Sequence, residues 1–328
     1  MTPRASAGDD AANGAIVARP PMSDLLDRRF LVVIGKGGVG KTSVSAALAV
    51  AAAKRGKRVL VAMCNTKERL SHLLEVPPIG EHVVNVLPRI DAVNMTPASA
   101  LEEYGLLVLK VRALYKAIFE NRIVSSFLRG VPGLEAWSML GKAYFHATIP
   151  RDDGRPQYDL VILDAPATGH GLDMLRVPKV IMDVAPPGLL RREAENAWTL
   201  FSDAKRSGLV LVTLPEDMPT NETIELHAAI TRELKLPVAK IVVNGIYPPL
   251  FPAADRSAYE ALPAALPAGS PIASLAASSR ARVLREAVQA TSLARLAAEL
   301  PVARIELPYL FVPEFRRAAV EALAAAFG

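Results

Sequence analysis

The sequence predicts an α/β fold, a doubly wound and mostly parallel sheet with an additional helical region. Three observations carry that expectation. Short apolar, β-branched runs recur between helical stretches, the first run leads directly into a glycine-rich loop and a helix, and a short basic turn returns that helix to a second apolar run. A strand, loop, helix and strand in that order form the unit from which parallel sheets are built.

Taken in chain order, Phe30–Ile34 reads as a strand buried on both faces, because it is continuously apolar rather than alternating. Thr42–Lys54 has helical composition, the turn Lys54–Arg58 is basic, and Arg58–Met63 is a second buried strand. Further strand-like runs are Asp159–Leu163, Leu209–Thr213, Lys240–Val243 and Arg304–Leu307. Two helical regions interrupt the alternation, at about 100–150 and 186–206. In them the apolar positions of Leu101–Leu128 and Leu189–Ala204 pack in the core, form a dimer interface, or line a groove for an apolar client. Tyr247–Ser279 is dense in proline and alanine and reads as a surface connection with one short helix. Residues 1–25 read as a disordered tail and 26–328 as one domain.

Composition excludes several classes. With 51% hydrophobic and 22% charged residues the chain is an ordinary globular protein, and only 5% aromatics among abundant alanine and leucine favours helix. The net charge of +5 is spread out, and Arg280, Arg282, Arg285 and Arg295 interleave with Val283, Leu284, Val288 and Leu296 as a solvated helix face, so no nucleic-acid partner is expected. A lone Cys64 supports neither a disulfide nor a cysteine-built zinc site and points to a reducing, cytoplasmic setting. The longest strongly apolar stretch, Val44–Ala53, is far short of the roughly 20 residues that span a bilayer, which restricts membrane contact to a peripheral partner. The hydrolase elbow G-x-S-x-G does not occur.

The chemistry gathers in Gly35-Lys36-Gly37-Gly38-Val39-Gly40-Lys41-Thr42-Ser43, which fits G-x-x-x-x-G-K-[ST] between a buried strand and a helix. Glycines let successive amides point inward and admit phosphate oxygens, and the helix N-terminus adds partial positive charge. Lys41 is expected on the β- and γ-phosphates and the Thr42 hydroxyl on Mg²⁺, which makes ATP with Mg²⁺ the implied ligand. Gly35, Gly37 and Gly40 also satisfy the dinucleotide pattern G-x-G-x-x-G. However, Lys41-Thr42 suits a triphosphate, and the second strand ends without an acid placed for a ribose.

Lys36, directly after the first glycine, makes this a deviant phosphate loop, and Leu160–His170 supplies the sequence LVILDAPATGH. Together they closely resemble the ArsA-like ATPases, which include the arsenite-pump ATPase and the ATPase that guides tail-anchored proteins to membranes. Pro132–Glu135 and Leu307-Pro308 with Pro313-Glu314 add to the likeness, which runs from Phe30 to Phe327. The resemblance implies a P-loop NTPase sheet of the SIMIBI type. It implies that Asp164 acts on Mg²⁺ through water, that Asp164–His170 is a switch II segment, and that Asn244 reads the adenine edge. It also implies that Lys36 reaches across a dimer to the partner's nucleotide.

Departures from the family pattern are equally informative. Asn65 falls where relatives carry the aspartate that activates the attacking water, and an amide cannot take that proton. Slow hydrolysis, or ATP used as a conformational ligand, is the consequence expected; Glu68 is the carboxylate that a rearranged loop would offer instead. One cysteine provides neither the zinc clamp nor the thiolate arsenite site of relatives. The chain also has one phosphate loop where the arsenite-pump enzyme has two fused halves. A second subunit is therefore expected, either an identical chain or a paralogous ATPase with the aspartate intact. The function implied is a dimeric, nucleotide-driven ATPase switch, with a client-binding targeting factor and a catalytically weak regulatory subunit as the alternatives.

Overall fold

The computed structural model describes residues 25–64, 67–109, 133–261 and 270–328. Asn65, the 110–128 part of the first helical region, Pro132 and the tail before Leu25 lie outside these described residues. Leu25, placed by the sequence at the end of the tail, is buried in a turn Leu25–Asp27 whose Leu26 carbonyl accepts from Lys57.

The described strands are β1 (Phe30–Gly35), β2 (Val59–Cys64), β3 (Val84–Leu87), β4 (Ile90–Met95), β5 (Leu160–Ala167), β6 (Ser207–Thr213), β7 (Val238–Ile246) and β8 (Arg304–Pro308). They form one eight-stranded sheet ordered β3-β4-β2-β5-β1-β6-β7-β8, in which β3 runs antiparallel to β4 and every other pairing is parallel. The α/β doubly wound expectation is met. Every residue of β1 is buried, as a continuously apolar central strand requires. Phe30, Val32 and Ile34 enter one core layer and Leu31 and Val33 the other, since successive side chains of a strand point to opposite faces.

On one face lie α1 (Lys41–Lys54), the short α2 (Leu70–Leu74) and the C-terminal α10 (Arg317–Ala324). Val44 to Ala52 of α1 are all buried between the sheet and α10, which explains why this helix is apolar all round. The other face carries α3 (Pro97–Leu109), α4 (Leu134–Thr148), α5 (Thr168–Val184), α6 (Leu189–Ser202) and α7 (Asp217–Ala228). In α6 the residues Ala194, Ala197, Leu200 and Phe201 are buried, and the Phe201 ring sits 5.0 Å from Phe30. This places one face of α6 in the core, while Leu189 and Leu190 at its start are exposed.

Between α3 and α4 the Lys142 ammonium is fully buried; it pairs with Glu103 and donates to the Glu81 carbonyl at 3.2 Å. The connection after Tyr247 contains a turn Ala253–Asp255, α8 (Arg256–Glu260) and then the long α9 (Ala273–Glu299), which begins earlier than the sequence suggests. The last proline there is Pro271, and the residues after it contain no helix breaker. Among the described residues no helix is long and apolar enough to cross a membrane.

Strand order reverses beside β1: the chain runs outward through β2 and β4 on one side and through β6, β7 and β8 on the other. The loops following β1 and β5 therefore meet at the carboxyl edge of the sheet, the place where open α/β sheets bind ligands.

Candidate nucleotide site

Gly35 ends β1, Lys36 to Gly40 form the turn, and Lys41, Thr42 and Ser43 open α1. The turn is fixed by contacts that only glycine tolerates. A Cβ on Gly35 would lie 2.1 Å from the Val212 carbonyl oxygen, so the loop hugs the neighbouring strand. Gly40 has φ +92°, and a Cβ there would meet the Asn244 side chain at 2.3 Å. Between them Gly37 and Gly38 are exposed, while Val39 is buried and anchors the turn from below.

Lys41 folds back over this ring and donates from Nζ to the carbonyls of Gly35 at 3.1 Å and Lys36 at 3.0 Å. Burial lowers its pKa, and the nearby Asp164 opposes that shift. Thr42 Oγ1 donates to Asp164 Oδ2 at 2.7 Å. Asp164 lies near the end of β5, fully enclosed, and its Oδ1 has no hydrogen-bond partner. Burial drives its pKa up to about 6, against the downward pull of Thr42 and Lys41. An enclosed carboxylate with one oxygen on a hydroxyl and the other unsatisfied is the donor set a hard divalent cation needs, so Thr42 and Asp164 fit Mg²⁺.

These groups open into a cleft of about 590 Å³ lined by Gly38, Gly40, Lys41, Thr42, Ser43, the end of β5 from Asp164 to Ala167, and Lys67, Arg69, His72, Leu73 and Phe315. A larger cleft of about 780 Å³ lies at the opposite edge of the sheet, around Arg58, Arg89 and Tyr158. Several of its charges are paired within the fold: Asp91 accepts from Tyr158 and Asn85, and Arg151 pairs with Asp153. The first cleft, not the second, holds the enclosed carboxylate of Asp164.

Asn244, in β7, donates from Nδ2 to the Val39 carbonyl at 3.0 Å, tying the phosphate loop to β7 and leaving one N–H and the amide oxygen of this side chain. Beside it a cleft of about 360 Å³ is bounded by Leu214, Gly245, Tyr247 and Tyr309, the two rings stacking at 4.7 Å. Lys36 points away from the 590 Å³ cleft. Its Nζ lies 2.5 Å from Glu222 Oε1 and 2.6 Å from Met218 Sδ on α7 of the same chain, and Glu222 Oε2 in turn accepts from Thr168 at 3.5 Å. Within one chain, therefore, the lysine expected to cross a dimer is held in cis.

Glu68 is engaged away from the glycine turn. Its two carboxylate oxygens accept from the Ser71 backbone N–H at 2.7 Å and the Ser71 hydroxyl at 2.5 Å, capping α2. Cys64 is buried, and burial pushes its thiol far above the usual range, which keeps it an inert strand-end residue. His170 is exposed in the first turn of α5, and no cluster of three or more His, Cys, Asp or Glu side chains that could hold a metal occurs among the described residues. Sequence reasoning misses Glu222, Lys67 and Arg69. Lys67 and Arg69 are legible as cations flanking Glu68, but the missing aspartate dominates any reading of that segment.

The comparisons with known proteins agree with this geometry. The family described as anion-transporting ATPase matches residues 28–185, which contain the phosphate loop and Asp164. The chain is 28% identical over 241 residues to the ATPase BagA of Mycobacterium tuberculosis, covering 71% of this chain and 69% of that protein. It is 26% identical over 234 residues to the arsenical pump-driving ATPase of Escherichia coli, covering 67% of this chain and 40% of that protein. It is also 26% identical over 166 residues to the ATPase ASNA1 homolog 2 of Paramecium tetraurelia, covering 49% of each. With the deviant loop on β1, the carboxylate on β5 and the sheet order that joins them, the chain is similar to the anion-transporting ATPases over residues 28–185.

Proposed function

We propose that the protein is a magnesium-dependent ATPase that hydrolyses slowly and works as a nucleotide-driven dimeric switch. The observation that carries this reading is the buried Asp164 beside Thr42, with an unsatisfied Oδ1 at the mouth of the glycine turn. In this reading the amides of Gly37 to Thr42 cradle the β-phosphate, and Lys41 exchanges its two carbonyl partners for phosphate oxygens. Thr42, directly, and Asp164, through water, would hold Mg²⁺, which would supply charge neutralisation for the phosphates. Asn244 and the cleft at Tyr247 and Tyr309 receive the adenine, an amide edge beside an aromatic wall.

Asn65 orients the attacking water without accepting its proton, and Glu68 does not take over, because it is committed to α2. Closure of two subunits on ATP draws Lys36 toward the partner's nucleotide. The second subunit is an identical chain or a paralogous ATPase, and the cytoplasm is the setting consistent with a lone buried thiol.

Calorimetry and phosphate release on wild type, Lys41→Ala and Asn65→Asp test the reading. Wild type should bind Mg-ATP, Lys41→Ala should bind at least about tenfold more weakly, and Asn65→Asp should turn over faster, by up to about 10²-fold. No ATP association by wild type would overturn the site assignment; equal rates for wild type and Asn65→Asp would remove Asn65 as the cause of slow turnover.

A further inference from the structure

Lys67 and Arg69 stand at the edge of the 590 Å³ cleft, on the segment that leaves β2 for α2. Many exposed cations of this chain have a carboxylate beside them, as Arg176 has Glu233 and Arg317 has Glu321. The side chains of Lys67 and Arg69 have no hydrogen bond or ion pair to any other described residue. The one acid between them, Glu68, is turned onto Ser71 to cap α2, so its neighbours on either side face the cleft with their charge uncompensated.

Across the cleft stand the magnesium-binding pair, Thr42 and Asp164, and the end of β5. Lys41, Lys67 and Arg69 thus oppose the single carboxylate of Asp164. The phosphate nearest the glycine turn is already provided with amides and Lys41. The two outer cations lie further along, past β5 toward the end of β2, where a chain of phosphates leaving the turn would next arrive.

We infer that Lys67 and Arg69 form a second, in-cis cationic contact that grips the terminal phosphate of a nucleoside triphosphate and sets the preference for triphosphate over diphosphate. This rests on the nucleotide reading above and goes beyond it, because it gives the segment containing Asn65 a phosphate-binding role independent of water activation. Arg69 suits the task through paired N–H groups that match two phosphate oxygens, and Lys67 adds a point charge. Both are specificity-determining residues rather than bases or nucleophiles, so the effect is read in binding.

The test is calorimetric titration of the full chain with Mg-ATP and Mg-ADP, for wild type, the double variant Lys67→Ala/Arg69→Ala, and Arg69→Lys. Neither side chain bonds to another described residue, so the double variant should keep the thermal midpoint of the wild-type protein measured without nucleotide. The expected result is at least an approximately tenfold loss of ATP affinity in the double variant, with ADP affinity changed by less than about threefold and partial recovery of the ATP preference when only Arg69→Lys is made. An unchanged ratio of ATP to ADP affinity, or equal weakening of both, would overturn the inference while leaving the nucleotide site standing. Failure of wild type to bind either nucleotide would remove both.

Discussion

Asp164 reaches the carboxyl edge of the sheet with one oxygen on Thr42 and the other without a partner, inside a fully enclosed site. Its pKa of about 6 comes from burial. A raised carboxyl pKa means that the folded protein holds this proton more tightly than the unfolded chain. The resulting contribution to stability is present at acid pH and is lost as pH rises through about 6. Cation binding has the opposite requirement, since Mg²⁺ needs the ionised form. Apparent Mg²⁺ affinity in the presence of ATP should therefore be flat above about pH 7 and fall up to about tenfold per pH unit below about pH 6; titrations at about pH 5.5 and 7.5 measure it. An Mg²⁺ affinity independent of pH over that range would mean Asp164 does not serve the metal. Thr42 and Asp164 are legible in the sequence because each sits in a motif with strand and helix around it. Glu222 is not, because it meets Lys36 across 186 positions of chain and belongs to no motif.

Among the elements, strands buried on both faces announce themselves as unbroken apolar runs, as β1, β2, β5 and β6 do, and the partly exposed β7 and β8 lie where the shorter, interrupted runs Lys240–Val243 and Arg304–Leu307 stand. β3 and β4 carry no such run. β3 is four half-exposed residues at the edge, and in β4 Asp91 and Asn94 interrupt the apolar positions. Only pairing in the sheet makes them strands. The α3–α4 contact likewise hides its chemistry, since a lysine and a glutamate 39 positions apart in sequence read as two solvated charges. In the fold Lys142 is fully buried while Glu103 is 40% exposed, so the pair is asymmetric. Glu103→Ala leaves an enclosed ammonium without its carboxylate and should cost about 2–3 kcal/mol; Lys142→Met leaves a carboxylate that water reaches and should change stability by less than about 1 kcal/mol. Urea unfolding of the two variants distinguishes them, and no loss of stability in Glu103→Ala would show that Lys142 owes nothing to Glu103.

At the scale of the whole molecule, Lys36 is the point where single-chain structure and the proposed dimer compete. Its ammonium is bound to Glu222, which also accepts from Thr168 at the start of α5, so the phosphate loop, α5 and α7 are joined through one carboxylate. Reaching a partner's nucleotide requires Lys36 to leave that carboxylate. Glu222→Gln weakens the hold and should increase the ATP-dependent dimer fraction by several-fold, to an extent set by a partly exposed ion pair of about 1 kcal/mol. Mass measured in solution with ATP and with ADP checks this, and identical dimer fractions for variant and wild type would show that the pair is no restraint. The sequence by itself determined the fold class, the phosphate loop and the carboxylate that stands beside it, because apolar periodicity and local glycine and lysine spacing are properties of contiguous chain. Only the tertiary structure decided what Lys36 and Glu68 are bonded to, which cations share the cleft, and which face of α6 is core. Those facts depend on which distant segments the sheet order brings together, and short-range sequence pattern carries no record of that.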